Sequence, residues 1–128
     1  MQLRMTSGKI KVLLADDDPL FIETLRALID GQPELSVIAA ARNGLEAIEL
    51  ADELRPDAVV VDLHMPLVDG VTAIARLRRD HPNLCLIVVT GDGDQALHRA
   101  AVAAGADGVL EKHELARGLV ERLAAARA

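Results

Sequence analysis

Short apolar runs alternate with amphipathic stretches along almost the whole chain. The runs are Ile10–Ala15, Leu35–Ala40, Ala58–Val61, Leu84–Val89 and Val109–Leu110. They are rich in Val, Ile and Leu and mostly do not alternate in polarity, which is the pattern of strands covered on both faces. Between them the spacing becomes helical. Phe21, Leu25, Leu28 and Ile29 recur at i, i+4, i+7 and i+8 behind Asp18-Pro19, an N-cap followed by proline at the first helical position, and Gly31 supplies a C-cap. Leu45 to Leu54 forms a second helix, with Asn43 as its cap and Pro56 as its stop. Val71, Ile74 and Leu77 mark a third that ends before Pro82. Asp94 to Ala104 is a fourth, stopped by Gly105, and Leu115 to Ala126 a fifth. This alternation predicts an α/β fold whose parallel sheet is covered on both faces through right-handed crossovers. Met1 to Gly8 carries no pattern and reads as a flexible N-terminal tail.

Composition narrows the range of functions. The chain has 128 residues, which suits one domain. No apolar run approaches the roughly 18 residues of a membrane span, and no secretory signal opens the chain. The single Cys85 cannot form an internal disulfide, which fits a cytoplasmic protein. With 20 acidic and 14 basic residues the formal charge is −6, which argues against gripping nucleic acid by neutralising phosphates. There is no Trp or Tyr and one Phe, Phe21, so base stacking is unsupported as well.

In an open parallel sheet, ligands bind beyond the carboxyl ends of the strands. The first run ends in Asp16-Asp17-Asp18, the third in Asp62, the fourth in Thr90 followed by Gly91-Asp92-Gly93, and the fifth in Glu111-Lys112. The second ends in Ala41 and Arg42. Clustered carboxylates repel unless a cation sits among them, and a hard-oxygen set suits Mg²⁺. Lys112 adds a fixed positive charge and Thr90 a hydroxyl, the surround that a dianionic phosphoryl group needs. A carboxylate can itself serve as nucleophile to phosphorus.

These residues carry a family resemblance. The stretches "LLADDDP", "VVVDLHMPLVDG", "VVTGDGD" and "AGADGVLEK" follow one another at the spacings of a response-regulator receiver domain of two-component signalling. The chain resembles that family from about Lys9 to Ala126, and within it the NarL/FixJ-like subfamily. The resemblance implies a flavodoxin-like (βα)5 fold, with a five-stranded parallel sheet in the order 2-1-3-4-5. It implies that Asp62 accepts a phosphoryl group from a histidine kinase or phosphotransfer protein. Asp17 would bind Mg²⁺ directly, Asp16 mainly through water, and the backbone carbonyl of His64 would complete the protein ligands. Thr90 would bond a phosphoryl oxygen and move on activation. Lys112 would pair with Asp62 before phosphorylation and with the phosphoryl group after it. Pro66 and Gly70 would shape the loop after the third strand. The implied output is a changed surface around the last two helices or the first one, possible homodimerisation, and transcription controlled through a C-terminal DNA-binding domain.

Two positions depart from the family pattern. Val109 stands where the family usually has an aromatic switch residue, and His113 follows Lys112 where many receivers have proline, which removes the reason to expect a cis peptide there. Val109 supports an alternative, a phosphorylation-independent receiver acting as a binding module. A third reading is a phosphatase with an aspartyl nucleophile on the first strand, since Asp16 and Asp18 make a D-x-D. The hydroxyl residue such haloacid-dehalogenase-like enzymes place two positions later is replaced by Leu20. His64, His81, His98 and His113 lack metal-ligand spacing and read as surface or loop residues. In the family, the positions of His64 and Asp92 border the phosphoryl group and affect its lifetime. Cys85 reads as a core residue.

Overall fold

A strand buried on both faces must alternate its side chains between two helical layers, and this sheet does so. In the computed structural model, which describes residues 8–127, the elements follow in strict alternation. They are β1 (Ile10–Ala15), α1 (Pro19–Asp30), β2 (Leu35–Ala41), α2 (Gly44–Leu54), β3 (Ala58–Val61), α3 (Gly70–Asp80), β4 (Cys85–Thr90), α4 (Gln95–Ala104), β5 (Gly108–Glu111) and α5 (Leu115–Ala124). A 3-10 turn, Lys112–Glu114, joins β5 to α5, and a second, Ala125–Arg127, follows α5. The five strands are parallel, in the order β2-β1-β3-β4-β5. The expected tail, Met1 to Gly8, lies outside the described residues except for Gly8.

Two separate cores result. Leu13, Ala15, Val59, Val61, Leu86 and Val88 pack with Ala47, Ile48 and Ala51 of α2, Ala73, Ile74 and Leu77 of α3, and Ala101 of α4. Their neighbours Val12, Leu14, Ala58, Val60, Ile87 and Val89 face the other way, onto Ile22, Leu25 and Ile29 of α1 and Leu115, Leu119 and Leu123 of α5. Each fully buried Val or Leu contributes about 1.5–3 kcal/mol. The helices are anchored unequally. α2 and α3 each bury four residues, whereas Ala101 is the one buried residue of α4.

The structure refines several boundaries. β2 is an edge strand, so Ser36 to Ala40 are only half-buried and its apolar run does not mark burial on both faces. Its pairing with β1 shifts register between Val12 and Leu13. Leu84 precedes β4, which runs on to Thr90, and β5 extends from Gly108 to Glu111. α5 ends at Ala124 because the chain tightens into the 3-10 turn. Asp18 caps α1, accepting hydrogen bonds from the Leu20 and Phe21 N–H groups, and Pro19 opens the helix. Gly31 caps α1 in a right-handed conformation, so its terminus needs no positive φ. Asn43, Asp69 and Asp94 cap α2, α3 and α4 in the same manner as Asp18. There is no cis peptide among the described residues.

Below the amino ends of β4 and β5, Arg78 ties three segments together. Its guanidinium donates to the carbonyls of Gly105 (3.0 Å), Pro82 (2.8 Å) and Leu84 (2.7 Å), and to Asp107 Oδ2 (2.9 Å). The same Asp107 oxygen accepts from the Leu86 N–H at 2.8 Å. Removing the fork leaves part-buried acceptors unmatched. Arg78→Ala is therefore expected to lower stability by about 2–4 kcal/mol, read as a lower urea midpoint. Arg78→Lys should recover less than half of that, because one ammonium cannot reproduce the planar fork. Full recovery by lysine would count against the fork.

Candidate functional site

Among the described residues, the buried polar side chains are Asp16, Asp62 and Thr90, exposed by 2%, 8% and 0%. Each sits at the carboxyl end of a strand. Asp16 follows β1, Asp62 follows β3, and Thr90 closes β4. The sheet's own hydrogen bonding carries the first two into place. The Asp16 N–H donates to Ala41 O and the Asp62 N–H to Ala15 O, so the ladder runs one residue beyond each strand. Placing an acid at the end of an all-apolar strand costs desolvation energy and gives the core nothing in return.

Asp16, Asp17 and Asp62 each bring a carboxylate oxygen within 4.8 Å of the other two. Asp17 is the exposed member. Burial, and then the charge of Asp16, pushes the Asp62 pKa up to about 6, against the pull of Lys112 and of hydrogen bonds from the His64 and Leu63 N–H groups. Burial raises Asp16 as well, although the Asp18 N–H and Lys112 both favour its charged form. The Lys112 ammonium lies 3.5 Å from Asp16 Oδ2 and 4.0 Å from the centre of the Phe21 ring. The expected pairing of Lys112 with Asp62 is thus replaced by an ion pair with Asp16, the acid that the β1–α1 loop places nearest the ammonium. Lys112 acts on Asp62 through space. No local sequence pattern announces the Phe21 ring under the lysine.

The loop after β3 is braced from two sides. A Cβ on Gly70 would lie 2.4 Å from Asp62 O and 2.6 Å from Leu63 Cα, so only glycine lets α3 start against the backbone of Asp62 itself. A Cβ on Gly44 would lie 1.9 Å from Val68 O, which fixes the start of α2 against the same loop. Leu67, between them, is 77% exposed and has a left-handed φ of 68°.

The loop after β4 is held differently, by side chains. Thr90 Oγ1 accepts from the Asp92 N–H at 3.1 Å. Asp92 Oδ1 accepts from the Asp94 N–H, and Asp92 Oδ2 accepts from His64 Nε2 at 2.7 Å. That bond holds the Asp92 carboxyl below the usual carboxylate value. The Asp92 carbonyl accepts from His98 Nε2 at 2.5 Å. His98 is therefore a half-buried helix residue. His81 is not a free loop residue either, since it donates to Asp52 at 2.8 Å. His113 is exposed and lies 3.8 Å from Glu111. Val109 is half-buried, pairs with Val88 and packs against the core beneath α4. Cys85 is half-buried, and burial raises its thiol pKa.

Comparison with known proteins agrees with this geometry. The sequence model of the response regulator receiver domain matches residues 12–124. This chain belongs to that family. It is 38% identical over 112 residues to the transcriptional regulatory protein LnrK of Bacillus subtilis, spanning 88% of this chain and 51% of that protein. It is 43% identical over 81 residues to protein-glutamate methylesterase/protein-glutamine glutaminase 2 of Carboxydothermus hydrogenoformans, spanning 63% of this chain and 23% of the relative. The chain thus spans between about a quarter and a half of these relatives. Among solved structures, it superimposes on the signal receiver domain of the putative response regulator NarL from Mycobacterium tuberculosis with a TM-score of 0.88. The identity is 27%, over 94% of this chain and 98% of that one.

The Asp62 environment predicts a pH signature of stability. The folded-state pKa of Asp62 stands above the ordinary carboxylate value of 3.8, so the folded state holds this proton more tightly than the unfolded chain. The resulting stability is fully present below about pH 4 and is lost as pH rises through about 6. In EDTA at pH 8, Asp62→Asn should therefore be more stable than wild type by on the order of 2–3 kcal/mol. The difference should close below about pH 4. Thermal melts across this range measure it, and a gap that widens in acid contradicts the raised pKa.

Proposed function

We propose that this domain is a phosphorylation-operated switch whose Asp62 takes a phosphoryl group from a phosphohistidine of a histidine kinase or phosphotransfer protein. The observation that carries this reading is the burial of two carboxylates and a hydroxyl at adjoining strand ends beside a lysine. An Asp62 carboxylate oxygen bonds to phosphorus while the phosphorus–nitrogen bond of the donor breaks. The donor imidazole leaves with that electron pair and takes up a proton. Lys112 and the Thr90 hydroxyl offset the charge on the phosphoryl oxygens. The product is an acyl phosphate on the domain itself, and no free substrate is turned over.

Asp16, Asp17 and Asp62, with the backbone carbonyl of His64, are the residues that would hold Mg²⁺. The donor set fits, because all are hard oxygens and because repulsion from Asp16 helps lift the Asp62 pKa, a strain that a divalent cation relieves. When bound, the ion supplies positive charge to the phosphoryl oxygens. The added phosphoryl charge then biases two conformations of the domain.

The output is transcriptional in this reading, through a DNA-binding domain of a longer cytoplasmic protein, with homodimerisation on phosphorylation. Support comes from the similarity to LnrK across most of this chain and from the NarL-type receiver fold. Val109 favours a second reading, a binding module indifferent to phosphorylation, because valine offers neither ring nor hydroxyl to follow Thr90. A phosphatase using Asp16 has less support, since that carboxylate is already engaged by the Asp18 N–H and Lys112.

Acetyl phosphate with Mg²⁺ should add one phosphoryl group to the wild type, seen by intact mass. Asp62→Asn should abolish the labelling, EDTA should prevent it, and Lys112→Ala should slow it at least tenfold. Labelling that persists in Asp62→Asn sinks the proposal. Labelling of the wild type without any change in conformation or partner affinity transfers support to the binding module.

A further inference from the structure

Asp92 makes hydrogen bonds to three parts of the molecule. Its N–H donates to Thr90 Oγ1, its carboxylate accepts from His64 across the cleft, and its carbonyl accepts from His98 on α4. A carbonyl can only accept, so His98 Nε2 carries the proton in that bond. Asp92 Oδ1 also accepts from the N–H of Asp94, the residue whose side chain caps α4 at the Ala96 and Leu97 N–H groups. The segment from Thr90 to Asp94 is therefore one hydrogen-bonded unit, attached to the site at one end and to the first turn of α4 at the other.

The two possible followers of Thr90 differ sharply. Val109, on the adjoining strand, has no polar atom with which to register the position of a hydroxyl. α4 is joined to Thr90 through Asp92 and is the least anchored helix, with Ala101 as its one buried residue. A helix with so little buried surface shifts at low cost.

We propose that His98 is a positioning residue, which couples the state of Thr90 to α4 by gripping the Asp92 carbonyl. This rests on the reading of Asp62 as phosphoacceptor. When the Thr90 hydroxyl turns to donate to a phosphoryl oxygen, its oxygen leaves the Asp92 N–H. The freed peptide moves, and His98 transmits that movement to α4. The His64–Asp92 bond opposes the change, because it holds Asp92 against the loop after β3.

The test uses beryllofluoride with Mg²⁺ as a phosphoryl mimic, with binding and hydrogen exchange across residues 95–104 measured separately. The variants are His98→Gln, whose amide NH₂ stands in for Nε2–H, and His98→Asn, whose amide is too short to reach. Thermal melts check that both are folded. Both variants should bind the mimic within about twofold of wild type. His98→Gln should keep most of the exchange response in α4, and His98→Asn should lose at least three-quarters of it. An equal response in wild type and His98→Asn overturns the coupling while leaving Asp62 as phosphoacceptor intact. So does binding of the mimic to the wild type with no response in α4. Failure of the wild type to bind the mimic at all overturns both readings together.

Discussion

Two acids forced together out of water set the terms for everything around them. Asp16 and Asp62 lie at the ends of neighbouring central strands, where both are desolvated and neither can move away without breaking the sheet's own pairing. The ionised pair is unfavourable, and the elements around it are arranged to make it tolerable. Lys112 rests on the Phe21 ring and faces Asp16. Backbone N–H groups of Leu63 and His64 turn toward Asp62, and the Asp18 N–H turns toward Asp16. These groups compensate only in part, as the raised pKa values show. A site of this kind gains stability from positive charge placed among its carboxylates.

The fold around this pair divides into two poles. At the amino ends of the strands, Arg78 closes the sheet with bonds to three carbonyls and a carboxylate. At the carboxyl ends, polar side chains are buried with unfavourable energetics. Between them run two apolar cores that share the sheet but contain different side chains.

Much of this was legible in the sequence, for reasons that can be named. The central strands declared themselves because burial on both faces demands unbroken Val, Ile and Leu, as in Ala58–Val61. β2 looked alike in composition but is an edge, and composition alone does not separate the two when small residues such as Ala39 and Ala40 fill the strand. Asp16, Asp62 and Thr90 were legible because each follows directly on an apolar run. The partner of Lys112 was not, since it depends on which of two adjoining acids lies closer in space. The meeting of His64 with Asp92, 28 residues apart, and the grip of His98 on a backbone carbonyl follow no local pattern at all.

The glycine contacts at Gly44 and Gly70 have a mechanical consequence. They jam two helix starts against the loop after β3, so one wall of the cleft is built from backbone pressed on backbone. The opposite wall, after β4, is tied by hydrogen bonds from side chains. The cleft thus has one wall set by backbone contact and one held by side-chain hydrogen bonds. Two missing methyl groups, at Gly44 and Gly70, make the two walls of the cleft unlike in kind.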